Sequence, residues 1–147
     1  MKKMAFLFSI SMLISLAACS TGEATTATPQ PLEVTLIATD IAYNQSQIEA
    51  VIGQPIKLTL DNQGKLDHDF SILEIPLSGE VIMTESAGEM AGHDMGHMET
   101  QPDVHIAAAA AATSSVEFTP AEAGEYAFFC TVAGHKEAGM IGTLIVQ

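Results

Sequence analysis

Arginine is absent from this chain, and only five lysines stand against 18 Asp and Glu. Nucleic-acid binding is excluded on that ground, because phosphate contacts need clustered Lys and Arg. Polyanions in general are poor partners for a chain of formal charge -13. Cysteine is scarce too, with Cys19 and Cys130 alone in 147 residues. No segment shows the period of an amphipathic helix. What remains is one domain's worth of chain, 48% hydrophobic and long enough to bury a core.

Part of that hydrophobicity lies in one block. Lys2 and Lys3 precede an apolar run from Met4 to Ala18, which ends at Cys19. A run of about 15 residues is too short to cross a bilayer and fits the apolar region of a signal peptide. The segment Leu16-Ala17-Ala18-Cys19 resembles the lipobox of bacterial lipoproteins, which implies cleavage before Cys19 and diacylation of that cysteine. Residues 1–18 are therefore expected to be a signal peptide and 19–31 a lipidated, Ser/Thr/Pro-rich tether. The protein would then be exported and lipid-anchored to a membrane, facing the periplasm or the cell exterior. Removing residues 1–18 takes away Lys2 and Lys3 and no acid, leaving 18 acidic side chains against Lys57, Lys65 and Lys136, a charge of -15. With Cys19 acylated, Cys130 is the one remaining thiol and has no disulfide partner in an oxidising compartment.

The domain is expected over residues 32–147. Segments of period-two alternation bounded by turn residues read as half-buried antiparallel strands at 34–41, 48–51, 56–60, 70–75, 115–119, 125–129 and 142–146. Gly53-Gln54-Pro55 and Asp61-Asn62-Gln63-Gly64 carry turn chemistry. Such a pattern predicts an all-β, Greek-key β-sandwich of about seven or eight strands. Two stretches break the pattern. The six alanines at 107–112 read as the end of a strand begun at Val104 plus a turn, and residues 77–103 read as an aperiodic insertion rich in Gly, Met, His and acid.

Near the C-terminus, Cys130, His135 and Met140 are spaced Cys-x4-His-x4-Met in a Gly-bearing loop between two predicted strands. Thiolate, imidazole and thioether together make a soft mixed site that suits copper better than Mg, Ca or structural zinc. A second imidazole is needed, and His68 in Leu66-Asp67-His68-Asp69-Phe70 is a candidate at the mouth of a strand.

These residues resemble the cupredoxins, the blue-copper proteins that include plastocyanin, azurin and auracyanin. The likeness covers most of residues 32–147 and is strongest over 114–147, where the Glu-Phe-Thr-Pro approach, the Gly-x-Tyr strand and the ligand loop match. It implies one type 1 copper, with His68, Cys130 and His135 as trigonal ligands and Met140 as the weak axial one. It also implies a one-electron carrier and no enzyme. A scaffold that holds the ligands still lowers the cost of changing charge at the metal. Phe128, Phe129 and Ile141 are expected to exclude water, Phe70 to pack in the core, and His135 to offer its ring edge through a small apolar patch of Ala133, Gly134, Ala138 and Gly139. A single remaining cysteine excludes a binuclear site with two bridging thiolates. Phe129 and Thr131 flank Cys130, so the His-Cys-His link to a trinuclear cluster is missing as well.

The insertion holds Met83 and the run Glu89-Met90-Ala91-Gly92-His93-Asp94-Met95-Gly96-His97-Met98-Glu99. Thioethers and imidazoles on an anionic backbone can capture copper without a preformed cavity, so Met90, His93, Met95, His97 and Met98 are secondary copper-binding candidates. A solvated loop that binds nothing is the plain alternative, and His105 just beyond it reads as an exposed strand residue. Two functions follow. One is a monomeric, membrane-tethered electron carrier that serves redox partners such as a cytochrome or a respiratory or photosynthetic complex. The other is a copper-trafficking or copper-resistance protein that uses the insertion.

Overall fold

The computed structural model describes residues 29–85 and 101–147. Within them the chain forms ten strands and no helix. These are β1 (Leu32–Thr39), β2 (Ala42–Tyr43), β3 (Gln47–Ala50), β4 (Ile56–Asn62), β5 (His68–Ile72), β6 (Ile82–Glu85), β7 (Val104–Ala108), β8 (Thr113–Phe118), β9 (Gly124–Phe129) and β10 (Ile141–Val146). They build two five-stranded sheets, β2-β1-β4-β8-β6 and β3-β10-β9-β5-β7. The all-β Greek-key sandwich expected from the sequence is thus realised with ten strands. The expected antiparallel pairing holds except for β1 with β4 and β3 with β10, which run parallel.

Alternation dictates how the strands sit. Along β4, Ile56, Leu58, Leu60 and Asn62 turn inward and Lys57 outward, and β8 alternates in the same way with Ser114, Val116 and Phe118 inside. The opposite sheet contributes Ile48, Phe70, Ile72, Val104, Ile106, Phe128 and Leu144 to the same core. Phe70, Phe118 and Phe128 are almost completely buried, each stabilising the fold by roughly 1.5–3 kcal/mol. Tyr126 closes a corner by donating its hydroxyl to the carbonyl of Glu122 at 3.1 Å.

Several boundaries differ from expectation for identifiable reasons. The turn residues Asp61 and Asn62 belong to β4, because Asn62 turns into the protein and finds partners there. The expected strand at 70–75 begins at His68 and ends at Ile72, and every residue of β5 is buried. A strand covered on both faces shows no period of two. The aperiodic stretch 77–103 contains β6, which pairs antiparallel with β8. The alanine run divides as expected: Ala107 and Ala108 end β7, and a turn follows in which Ala111 takes φ 59°.

Candidate metal centre

One end of the sandwich collects the soft donors. β9 and β10 pair antiparallel, with Ile141 opposite Phe129, so Cys130 and Met140 lie side by side where the ladder ends. The Cys130 amide donates to the Met140 carbonyl at 3.1 Å. The residues between them fold into a compact loop. His135 N donates to Val132 O at 3.0 Å, Ala138 N to Gly134 O at 3.0 Å, and Met140 N to His135 O at 3.0 Å. Gly134 (φ 84°) and Gly139 (φ 102°) take left-handed conformations that a side chain would strain. From the other direction, His68 opens β5, which lies between β9 and β7.

The sequence-predicted donors are brought together. Cys130 Sγ stands 3.5 Å from His135 Nδ1 and 4.0 Å from His68 Nδ1. One ligand atom from each of the three lies within 4.8 Å of the others, and the imidazole centroids are 5.0 Å apart at 45°. His68, Cys130 and Met140 are fully buried and His135 is 6% exposed. Donors about 2.0–2.3 Å from one ion stand roughly 3.5–4 Å apart, so this spacing fits a single metal ion. The donor types fit copper.

The electrostatics hold Cys130 and His68 neutral until a cation arrives. Burial, followed by the charge of Asp69, pushes the Cys130 thiol up to about 11. Burial and then the neighbouring His135 hold His68 below its ordinary value, so its ring is a neutral ligand. A metal would displace the thiol proton, since the thiolate is the form that coordinates.

Some residues around the donors were not singled out by the sequence. Asn62, 1% exposed, donates Nδ2 toward Leu66 O (2.7 Å), Ala108 O (2.9 Å) and Ala109 O (3.0 Å). Its Oδ1 accepts from Gly64 N at 2.9 Å. One carboxamide thus fastens the loop before His68 to the alanine turn, which Asp67 also joins by accepting from Ala110 N at 3.2 Å. Asp69 is fully buried; its Oδ1 accepts from Thr131 N at 2.7 Å and its Oδ2 from the Thr131 hydroxyl. Tyr43 donates its hydroxyl to the Asp69 carbonyl. Burial, then the charges of Cys130 and Asp69, keep that phenol protonated far above its ordinary value.

Other expectations divide. Phe70 and Phe128 are buried as expected, with ring centroids 5.2 Å apart. Phe129 is also buried, under the Lys136 ammonium 3.8 Å from its centroid. Ile141 is 42% exposed and faces solvent, because Gly142 takes the inward place at the start of β10. Ala133, Gly134, Ala138 and Gly139 are exposed beside His135, as the small patch requires. His105 is partly covered, with Nε2 3.8 Å from Asp69 Oδ2. Cys19, Met90, His93, Met95, His97 and Met98 lie outside the described residues, as does the signal segment 1–18.

Comparison with known proteins agrees with this fold. A model of the cupredoxin-like domain matches residues 8–146. The copper-resistant cuproprotein CopI of Pseudomonas aeruginosa is 26% identical over 137 residues, covering 78% of this chain and 75% of that protein. The protein of the same name from Rubrivivax gelatinosus is 30% identical over 106 residues, covering 71% of this chain and 59% of its own length. Auracyanin B superposes with a TM-score of 0.58 at 22% identity, over 82% of this chain and 91% of its own.

Proposed function

Because the chain belongs to the cupredoxin-like family, we propose that His68, Cys130 and His135, with Met140 as a weak fourth donor, hold one type 1 copper, and that the protein is a one-electron carrier rather than an enzyme. The observation that carries this reading is the buried cluster of one thiol and two imidazoles within 4.8 Å. When bound, copper supplies a site that shuttles between two charge states.

The chain's own residues supply the rest. Two sheets sharing one core hold β5, β9 and β10 in place, so the donors keep their positions whichever charge state is present. The hydrogen-bonded turn from Val132 to Met140 fixes His135, and burial of Phe70 and Phe128 beneath the site excludes water. His135, the least covered of the four, lies beneath exposed Ala133, Gly134 and Ala138. It gives electrons a short route to a docked redox protein, such as a cytochrome or a membrane complex. Export and anchoring through Cys19 would place the carrier at a membrane surface.

The test is spectroscopic. Copper(II) added to the protein should give an intense thiolate-to-copper absorption band, bleach reversibly on reduction and show a type 1 EPR signal, all lost in Cys130→Ser. A colourless Cu(II) complex would sink the carrier reading.

A second reading has support from the two relatives named copper-resistant cuproproteins. In it the protein captures copper, with Met90, His93, Met95, His97 and Met98 adding capacity. Deleting residues 86–100, which spares β6, should then lower the copper bound per chain from above one to one. Unchanged stoichiometry would remove this reading.

A further inference from the structure

We propose that Val51 and Ile52, at the end of the sandwich opposite the metal centre, rest in the surface of the membrane that holds the lipid anchor, a surface of zwitterionic lipid, and so turn His135 toward the aqueous side. The inference rests on the anchoring through Cys19 proposed above and adds how the anchored domain is oriented.

Val51 and Ile52 are adjacent apolar side chains, 58% and 46% exposed. They stand at the turn between β3 and β4, which Gln54 N closes by donating to Val51 O at 3.0 Å. The turn is braced from three sides. Ile52 N donates to Gln147 O at 3.1 Å, Gly53 N to Pro120 O at 2.9 Å, and Gln54 Nε2 to Gln30 O at 3.1 Å. Its backbone is thus ordered already, so a surface that covers the two side chains loses little to further ordering.

The chain that leads from Cys19 arrives at this same turn. Gln30 accepts from Gln54, and Leu32 N donates to Pro55 O at 2.7 Å. Eleven positions separate Cys19 from Gln30, a length that reaches at most about 40 Å. The metal centre lies at the other end of the strands. β10 begins at Ile141, next to Met140, and ends at Val146, which pairs with Ala50; at about 3.4 Å per residue this puts the turn about 17 Å from the metal end. A surface met beside the tether's exit is held at the highest effective concentration, whereas presenting the metal end would use up tether along the length of the domain.

Charge selects the lipid. Lys65 and Lys136 lie in the loop before His68 and in the ligand loop, while Lys57, near the turn, is paired with Glu33 at 3.6 Å. Glu49 and Glu125 both stand opposite Ile145, close to the turn's end of β10, and Glu122 is exposed in the connection at 120–124. Anionic headgroups repel such an acidic rim, and zwitterionic ones do not.

The experiment places the lipidated, copper-loaded mature chain in vesicles of phosphatidylcholine brominated on its acyl chains, with unbrominated vesicles as reference. The chain has no tryptophan, so one introduced indole reports its own surroundings. Ile52→Trp should be quenched about twofold or more beyond Leu66→Trp, which marks the metal end at a position 48% exposed. Tryptophan itself favours interfaces, so Val51→Asp is added to the Ile52→Trp chain and should lower its quenching by about half or more. Phosphatidylglycerol in the vesicle should lower it as well, and salt should restore it. Equal quenching at the two positions, or stronger quenching at 66, overturns the proposal, as does indifference to Val51→Asp. Should Ile52→Trp not fold, Val51→Trp against Leu66→Trp, with Ile52→Asp as the added change, decides by the same outcomes. A mature chain without the diacylglycerol mass on Cys19 fails the anchoring reading instead, which mass spectrometry separates from an anchored chain with an unquenched turn.

Discussion

Gly142→Ala tests whether the core beneath the metal centre is as tightly filled as the geometry implies. Gly142 is the second residue of β10, opposite Phe128 in the ladder. A Cβ added there would stand 2.1 Å from Phe128 Cζ, 2.6 Å from Cε2 and 2.8 Å from Cε1. Carbon atoms settle at about 3.5–4.0 Å, so the ring must retreat by roughly 1.5 Å. It has nowhere easy to go. Phe128 is fully buried, with Phe70 5.2 Å and Tyr43 5.7 Å away between ring centroids. Overpacking of this kind costs typically 1–3 kcal/mol and occasionally more. With contacts closer than 3 Å at three ring atoms, the upper end applies, and about 3 kcal/mol corresponds to a fall of roughly 10 °C in Tm for a domain of this size.

The discriminating assay is a double-mutant cycle followed by thermal and urea unfolding of the metal-free protein. Phe128→Leu removes the three ring atoms that the new methyl strikes, at the cost of a partly emptied core. If the clash is the cause, the double variant should be at least 1 kcal/mol more stable than the sum of the two single effects, within the range of contacting pairs. Additive losses, or a Gly142→Ala change within about 0.5 kcal/mol of wild type, would refute the reasoning. Phe128 lies two residues before Cys130 and Gly142 two after Met140. The same displacement should therefore broaden the copper EPR signal.

Three further outcomes are expected. Asn62→Ala leaves carbonyls of Leu66, Ala108 and Ala109 without their shared donor, costing about 2–3 kcal/mol and accelerating amide exchange over 64–68; a loss below 0.5 kcal/mol on denaturant unfolding would contradict it. Ala111→Gly relieves a left-handed alanine (φ 59°) and should raise the urea midpoint by up to about 1 kcal/mol equivalent, whereas a lowered midpoint would contradict it. The Cys130 thiol, with its pKa raised to about 11, is protonated at neutral pH, so a binding copper ion must expel one proton. Apparent affinity, measured by competition with a chelator corrected for its own protonation, should rise about tenfold per pH unit between about pH 7 and about pH 10. A flat profile would show that the thiol is already ionised.

The ligand loop was legible because Cys130, His135 and Met140 sit close together in one turn, so their spacing carries the chemistry. The alternation of β4 and β8 was legible for the same local reason. Asn62 and Asp69 were not, since their meaning lies in partners 46 and 62 residues away. Each is an ordinary polar residue in its own neighbourhood, and Asn62 in particular sits in a run that reads as a turn. β5 lost its pattern because Asp69 and Ser71 are buried on the face opposite Phe70. The need for glycine at 142 is likewise set by a ring across the ladder.

The topology also explains how one chain can carry a rigid site and a long insertion together. β6 is the outer strand of one sheet and β7 the outer strand of the other. Residues added between them interrupt no ladder, because each strand keeps its single partner, β8 or β5. The chain returns at Val104, paired with Ile72, while His68 pairs with Ala108 at the other end of β7. Four residues of strand, about 13 Å at 3.3 Å per residue, separate the re-entry point from the metal end. Length and composition in this connection can therefore change without moving His68. The alanine turn after Ala108 must stay fixed, because its carbonyls hold Asn62. Shortening the insertion should leave the blue spectrum intact, whereas replacing Ala109 with proline should disturb it, because the ring fixes the backbone that presents those carbonyls.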